Sequence, residues 1–224
     1  MSNIRRLTAY KWVPPFAQGL VRDIRVRWAL EEAGLSYDEK LLDFGAQNTP
    51  EHRAVQPFGQ VPVYQEDNLT LFESGSIVMH IGESAPILLP VEPGARARVR
   101  TWIIAALNSV EPHVQALVII DLFHAQEEWA ILRRPGALAM AQARLGAVAA
   151  TLADREYLEN QFSGADVLMT TVLRLLRHTT VVSDIPALAA YQARCEARPA
   201  FKRALAAQLA AFERYAPAAA PAAA

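Results

Sequence analysis

Across the first 85 positions the apolar residues switch between strand-like runs and the four-residue spacing of helices. "IRRLTAY" (4–10) reads as a strand, and "KWVPPFAQG" follows it as a loop. "LVRDIRVRWALEEAG" then reads as a helix, with Leu20, Ile24 and Trp28 four apart and Gly34 as its stop. "SYDEKLL" suits a short second strand, and "TPEHRAV" offers Thr49 as an N-cap with Pro50 in the first helical position. "VPVY" and "LTLF" flank the turn-forming "QEDN" as a hairpin, and a third helix is expected from Ser74 to Glu83. A βαβ unit followed by a ββα unit makes a small mixed sheet with helices against it.

Three prolines in "SAPILLPVEPGA" (84–95) end that pattern, and everything after it reads as helix. Val99, Trp102, Ile103, Ala106, Leu107, Val110, Val114 and Leu117 keep helical spacing, while Pro112 should bend or break the run. Further helices are expected at about 135–153, 164–178, 186–197 and 199–213. In "FSGADVLMTTVLRLL", Ser163 can cap a helix while Asp166 returns the bond, and Phe162 and Val167 can form a hydrophobic staple. The fold class expected is α/β followed by all-α: residues 1–85, a linker at 86–94, an all-helical unit at 95–215, and an Ala/Pro tail at 216–224 expected to be disordered.

Composition narrows the function classes. A chain of 224 residues that is 52% hydrophobic and 20% charged can bury a full core, as one large domain or two small ones. A formal charge of −1 with scattered basic residues speaks against nucleic acid and acidic membranes as partners. One cysteine, Cys195, excludes an internal disulfide, and no cysteine or histidine cluster suggests a metal. "MSNIRRLTAY" lacks the apolar core of a signal peptide, and no apolar run approaches the length of a membrane span. A cytoplasmic location is expected.

Candidate chemistry concentrates in "PFGQVPVYQEDNLTLFESGSI", residues 57–77. Pro62 has no N–H for a strand ladder, so it belongs at a strand's first residue. Were the bond before it cis, Val61 would turn its backbone outward to pair with an extended, peptide-like ligand; a trans proline that merely starts a strand is the plainer alternative. Ser74 stands where a helix begins, where a hydroxyl and free N–H groups can hold a carboxylate, and Glu73 beside it can attract an ammonium. An ordinary serine cap beside a solvated glutamate is the alternative here. Together the two features suit a small peptide with a free α-amino-acid head.

"QPFGQVPVYQEDNLTLFESGSIVMHIGE" resembles the glutathione-binding motif of the soluble, cytosolic-type glutathione S-transferases, and "IRVRWALEEAG" is similar to their first helix. "FSGADVLMTTVL" resembles the capping motif of their helical domain, and "YQARCEARPAFKRAL" their closing helices. The resemblance covers roughly residues 4 to 213, in one consistent order, and is read as that of a bacterial member. It implies a thioredoxin-like N-terminal domain, an all-helical C-terminal domain, a homodimer, and glutathione as co-substrate with no metal. By motif, Val61 would pair its backbone with the cysteinyl part of glutathione, Pro62 would be cis, and Glu73 and Ser74 would hold the γ-glutamyl end. Gln60 and His52 are candidates near the glycyl end, with an exposed first-turn helix residue as the alternative for His52.

Family members activate the thiol with Tyr, Ser or Cys just after the first strand, and here "KWVPPFAQG" contains no Ser, Thr or Cys. Tyr10 is the remaining hydroxyl and the catalytic candidate, with strand-end packing as its alternative role; Trp12, Gln18 and Arg22 are secondary candidates as donors, with a structural role as the alternative for each. Trp12, Val13, Phe16, Trp102 and Ala105 are expected to line an apolar second-substrate pocket, or else to serve as core. Cys195 reads as a buried structural thiol. The leading function is a glutathione transferase acting on a small apolar electrophile. A non-catalytic glutathione- or ligand-binding protein and a glutathione-dependent isomerase of the maleylacetoacetate type are the alternatives.

Overall fold

The computed structural model describes residues 4–217. The tail expectation therefore falls, beyond Ala216 and Pro217, outside the described residues. Four strands form one sheet in the order β2-β1-β3-β4: β1 (Arg5–Tyr10), β2 (Asp38–Leu42), β3 (Val63–Glu66) and β4 (Leu69–Phe72). β1 runs parallel to β2 and antiparallel to β3, with Leu7 opposite Tyr64 and Thr8 opposite Val63. Leu7, Thr8 and Ala9 are all buried, as a central strand covered on both faces requires. β2, with exposed Asp38, Glu39 and Lys40, supplies a charged edge that discourages further pairing.

α1 (Asp23–Ala33) lies between this sheet and the second half of the chain, touching α3 (Ser74–Gly82), α7 (Gly164–Arg174) and α9 (Pro199–Arg214). Its start differs from the expectation of residue 20. Gly19 has φ +76°, and turn bonds carry the chain through Leu20 and Val21 before the helix begins. A short α2 (Pro50–Arg53) is capped by Thr49, as its sequence suggests.

After α3 the chain is helical throughout. α4 (Pro93–Ala105) joins α5 (Glu111–Phe123) through a π-helical turn, Ala106–Val110, and the run continues past Pro112 unbroken. Pro112 has no N–H to close a regular turn, and it stands in the first turn of α5, where none is needed. The continuous stretch Pro93–Phe123 is, by length and composition, apolar enough to cross a membrane, contrary to the reading of the sequence alone. Its stripe of Val99, Ile103, Ala106, Val110, Val114 and Leu117 is buried in the core.

α6 spans Glu128–Leu152 and carries Pro135 inside it, where a helix start was expected. A proline within a helix costs about 3 kcal/mol. Two contacts hold the extra turns: Ala130 is fully buried, and Arg134 donates to Asp121 of α5 at 2.7 Å and 3.1 Å. α7 ends at Arg174, four residues short of expectation; α8 (Pro186–Glu196) and α9 follow their predicted spans to within a residue. The capping box forms as read: Asp166 accepts from the Ser163 N–H at 2.8 Å, and its other oxygen accepts from Tyr191 and the Leu158 N–H.

One hydrophobic cluster runs through both halves. At their junction the fully buried Trp28 meets Phe201 and Phe162 at ring-centroid distances of 4.8 and 5.7 Å and donates to Glu32, which also accepts two bonds from Arg198. The architecture is that of a thioredoxin-like domain followed by an all-helical one.

Candidate functional site

Two backbone features shape the site. The Val61-Pro62 peptide is cis, and Val61 lies two residues ahead of Val63, the first residue of β3 in register with its neighbours. Glu73 has φ 68° and ψ 109°, a conformation that costs a non-glycine residue of order 1–3 kcal/mol. It occupies the cap position of α3 without a side-chain cap bond, which puts Ser74 inside the first turn. The Ser74 hydroxyl instead accepts from Arg25 Nη1 at 3.1 Å, so the ordinary serine-cap alternative does not apply.

Arg25 is a buried cation placed by α1 under the start of α3. Its Nε donates to Thr171 at 2.9 Å, and its Nη2 lies 3.1 Å from Glu111 of α5. Arg22, one turn earlier, donates to the same Glu111 oxygen through Nε at 3.0 Å and Nη2 at 2.9 Å. Burial opposes the charge on Glu111, but Arg25 and Arg22 outweigh it and hold the carboxyl below the usual carboxylate range. Burial likewise pulls the Arg25 guanidinium down from its ordinary value. The Glu111 direction governs the cluster, because one carboxylate serves two guanidiniums and keeps both compensated in part.

Two cavities meet beside this cluster. The first, about 310 Å³, is lined by Ser74, Glu73, Val61, Pro62, Gln60 and the Arg25–Glu111 pair among others. The second, about 290 Å³, opens over apolar side chains: Phe16, Leu20 and Val21 from the loop, Val118, Leu122 and Phe123 from α5. Arg22, Gln60, Val61, Glu111 and Gln115 line both. The rings of Phe16 and Phe123 meet edge to face at 5.6 Å, forming one wall of the second cavity.

Sequence candidates divide accordingly. Val61, Pro62, Glu73, Ser74 and Gln60 converge on the first cavity, while Tyr10 and Phe16 line the second. His52 lines neither; it is buried and donates from Nε2 to the Gln60 carbonyl at 2.7 Å, so it holds the wall without facing the space. Trp12, Val13, Trp102 and Ala105 are also absent from both linings, with Val13 buried and Trp102 packed on the core. Gln18 turns back to the Val13 carbonyl at 3.1 Å and serves the loop. Cys195 is fully buried, and burial pushes its thiol up to about 12, which suits a structural role. Burial first, then the charge of Asp23, raises the Tyr10 phenol, which keeps it a donor.

Sequence reasoning missed Arg25, Glu111, Gln115, Leu122 and Phe123. The available signal was the charge of "RDIRVR" at positions where α1 needs apolar residues, which marks buried, paired ions. The loop itself is tied to the second half of the chain: Arg177 donates to the Gln18 and Phe16 carbonyls at 2.9 and 2.8 Å. Among the described residues no group of three or more His, Cys, Asp or Glu could hold a metal ion.

Residues 7–83 match the family model for the glutathione S-transferase N-terminal domain. A probable glutathione S-transferase GSTF2 of rice (Oryza sativa subsp. japonica) is 30% identical over 187 residues, 78% of this chain and 86% of that protein. The chain belongs to the glutathione S-transferase family. Glutathione S-transferase 4 of maize (Zea mays) is 35% identical over 122 residues, 51% of each chain. In such shorter matches the chain spans about half the length of the curated relatives. A glutathione transferase from Burkholderia graminis, solved with two glutathione molecules bound per subunit, is 25% identical and superposes with a TM-score of 0.79 over 90% of this chain and 87% of its own.

Proposed function

We propose that this chain is a glutathione transferase: glutathione lies in the first cavity, its sulfur reaches the junction with the second, and an apolar electrophile occupies the second. The meeting of a polar, charged cavity with an apolar one at Val61 carries this reading. Val61 would pair its backbone with the cysteinyl unit, Ser74 and Glu73 would take the carboxylate and ammonium of the γ-glutamyl head, and Gln60, held by His52, would border the glycyl end. Arg25 beneath Ser74 adds a buried positive charge under that carboxylate.

The chemical step removes the thiol proton to solvent, and the sulfur lone pair then forms a C–S bond to the electrophilic carbon, whose displaced π pair is protonated by solvent or whose leaving group departs with the bonding pair. A free thiol near pKa 8.5 is only a few per cent thiolate at neutral pH. Lowering its pKa by about two units requires about 2.7 kcal/mol of differential stabilisation. Tyr10 would donate a hydrogen bond toward that anion. Residues 1–85 would form the glutathione-binding unit and residues 95–215 the helical unit, acting as a cytoplasmic homodimer in detoxifying conjugation. The exposed Phe58 stacked edge-on against Phe72 supports an apolar subunit contact.

Calorimetry in two buffers of different ionisation enthalpy tests the reading, because it returns affinity and proton release together. Binding with release of close to one proton at neutral pH is the expected result, at one glutathione per chain, since the apolar second cavity suits an electrophile better than a second tripeptide. Binding without proton release would favour a ligand-binding protein. No binding would overturn the function.

A further inference from the structure

Among the residues lining the two cavities, Arg22 is the one cation common to both. Its neighbour Arg25 is confined to the first cavity, with a side chain only 2% exposed and all three nitrogens engaged by Thr171, Ser74 and Glu111. Arg22 differs in both respects. Its side chain is 42% exposed, and only Nε and Nη2 are bound, both to Glu111. Nη1 has no protein partner among the described residues.

Two carboxylates stand against the two guanidiniums: Glu111 in direct contact with both, and Glu73 on the wall of the first cavity, whose charge supports Arg25. Glu111 is the single carboxylate shared by two guanidiniums, and its bonds to Arg22 fix that group in place with no cost of reorganisation when a ligand arrives. A preorganised cation with one free donor therefore stands where the polar cavity opens into the apolar one. The loop that precedes it offers no Ser, Thr or Cys, and Tyr10 supplies at most a neutral donor.

We propose that the Arg22 guanidinium is the fixed positive charge that holds the glutathione sulfur as thiolate, with Glu111 as its positioning residue. The assignment rests on the glutathione reading above and deepens it. A guanidinium cannot act as base, so the thiol proton leaves to water, the S–H electron pair stays on sulfur, and Arg22 remains protonated as that pair forms the C–S bond while the electrophile's displaced π pair takes a proton from water or its leaving group departs with the bonding pair. An opposite charge within a few ångströms lowers an acid's pKa by about 1–3 units, enough to account for the activation required.

Ultraviolet absorbance of the bound thiolate, followed against pH in the wild type, Arg22→Gln and Arg22→Lys, tests this, alongside calorimetric binding of S-methylglutathione. Arg22→Gln is expected to raise the bound-thiol pKa by about 1–2 units, with Arg22→Lys recovering part of the shift, while S-methylglutathione affinity stays within about twofold of wild type. A thiol pKa indifferent to Arg22→Gln overturns the assignment and leaves the glutathione site standing. An equal loss of S-methylglutathione affinity also overturns it, since Arg22 would then serve binding or structure. Failure of the wild type to bind either ligand overturns the glutathione reading and the assignment with it. Arg22→Gln leaves Glu111 paired with Arg25, so the fold is expected to survive the substitution.

Discussion

Replacing Glu111 by Gln removes the one anion between two arginines that belong to different levels of burial, and the structure separates their contributions. Each of the three contacts to Glu111 Oε1 is 2.9–3.1 Å long. At an effective dielectric of about 20, one such contact is worth about 5 kcal/mol of gross Coulomb attraction. Desolvation offsets several kcal/mol of that for each buried ion. Arg22 is 42% exposed and can turn to water, so its loss of partner costs at most about 1 kcal/mol. Arg25 is 2% exposed and cannot, so leaving it unpaired dominates, at about 3–5 kcal/mol. Because the amide of Gln keeps one acceptor oxygen, about 2–4 kcal/mol is expected for Glu111→Gln. Equilibrium urea denaturation followed by intrinsic tryptophan fluorescence, to which Trp28, buried between the two halves, contributes, measures it directly. Arg22→Gln under the same conditions should cost under about 1 kcal/mol. The carboxyl of Glu111 is depressed in the folded state, so its stabilisation is present above the ordinary carboxylate range and is lost as pH falls through the lower folded value. The gap between wild type and Glu111→Gln should therefore close on acidification below about pH 4. A cost under about 1 kcal/mol for Glu111→Gln, or a gap that widens in acid, would refute the reasoning.

Tyr10→Phe is expected to lower kcat/KM by about tenfold or more. Since burial raises the Tyr10 phenol, the wild-type rate should not fall through loss of that donor on moving to moderately alkaline pH; an unchanged rate in the variant counts against its role. His52→Leu removes the bond to the Gln60 carbonyl and should weaken glutathione binding about 2–12-fold, equivalent to about 0.5–1.5 kcal/mol, with His52→Gln partly restoring it; calorimetry showing no change would remove His52 from the site's support. A Cβ at Gly82 would stand 2.8 Å from Leu89 Cβ, so Gly82→Ala should destabilise by about 1–3 kcal/mol, visible as a lowered Tm, and an unaffected Tm would show that the linker yields there.

What could be read in the sequence depended on how local the cause was. The β1–α1 order, the β3–β4 hairpin and the capping box around Ser163 each arise from signals a few residues apart, and they formed as the patterns suggested. The start of α6 was misplaced because proline is a common first helical residue, whereas here Ala130 and the Arg134–Asp121 pair carry the helix through Pro135. The backbone half of the site was legible for the same local reason, since Val61 and Ser74 flank one hairpin. Its electrostatic half was not: Glu111 meets Arg22 from 89 positions away, and no window of sequence contains both. Aromatic residues posed a third kind of problem, because helical spacing alone cannot tell Trp102, which packs on the core, from Phe123, which faces a cavity.

The π-helical turn at Ala106–Val110 sets the rotational phase of everything beyond it. A turn that spends about one extra residue rotates the following helix by about 100° relative to an unbroken α-helix. Glu111, Gln115, Val118 and Leu122 form one stripe beyond that point, and it faces the cavities. Shortening the turn by a single residue would swing the same stripe away and bring a neighbouring face round in its place, and it would also disturb Leu107 and Asn108, which the turn itself gives to the first cavity. The helix thus works as an indexed shaft, in which the aim of the carboxylate and of the apolar wall is encoded in the chain length of the turn immediately before them.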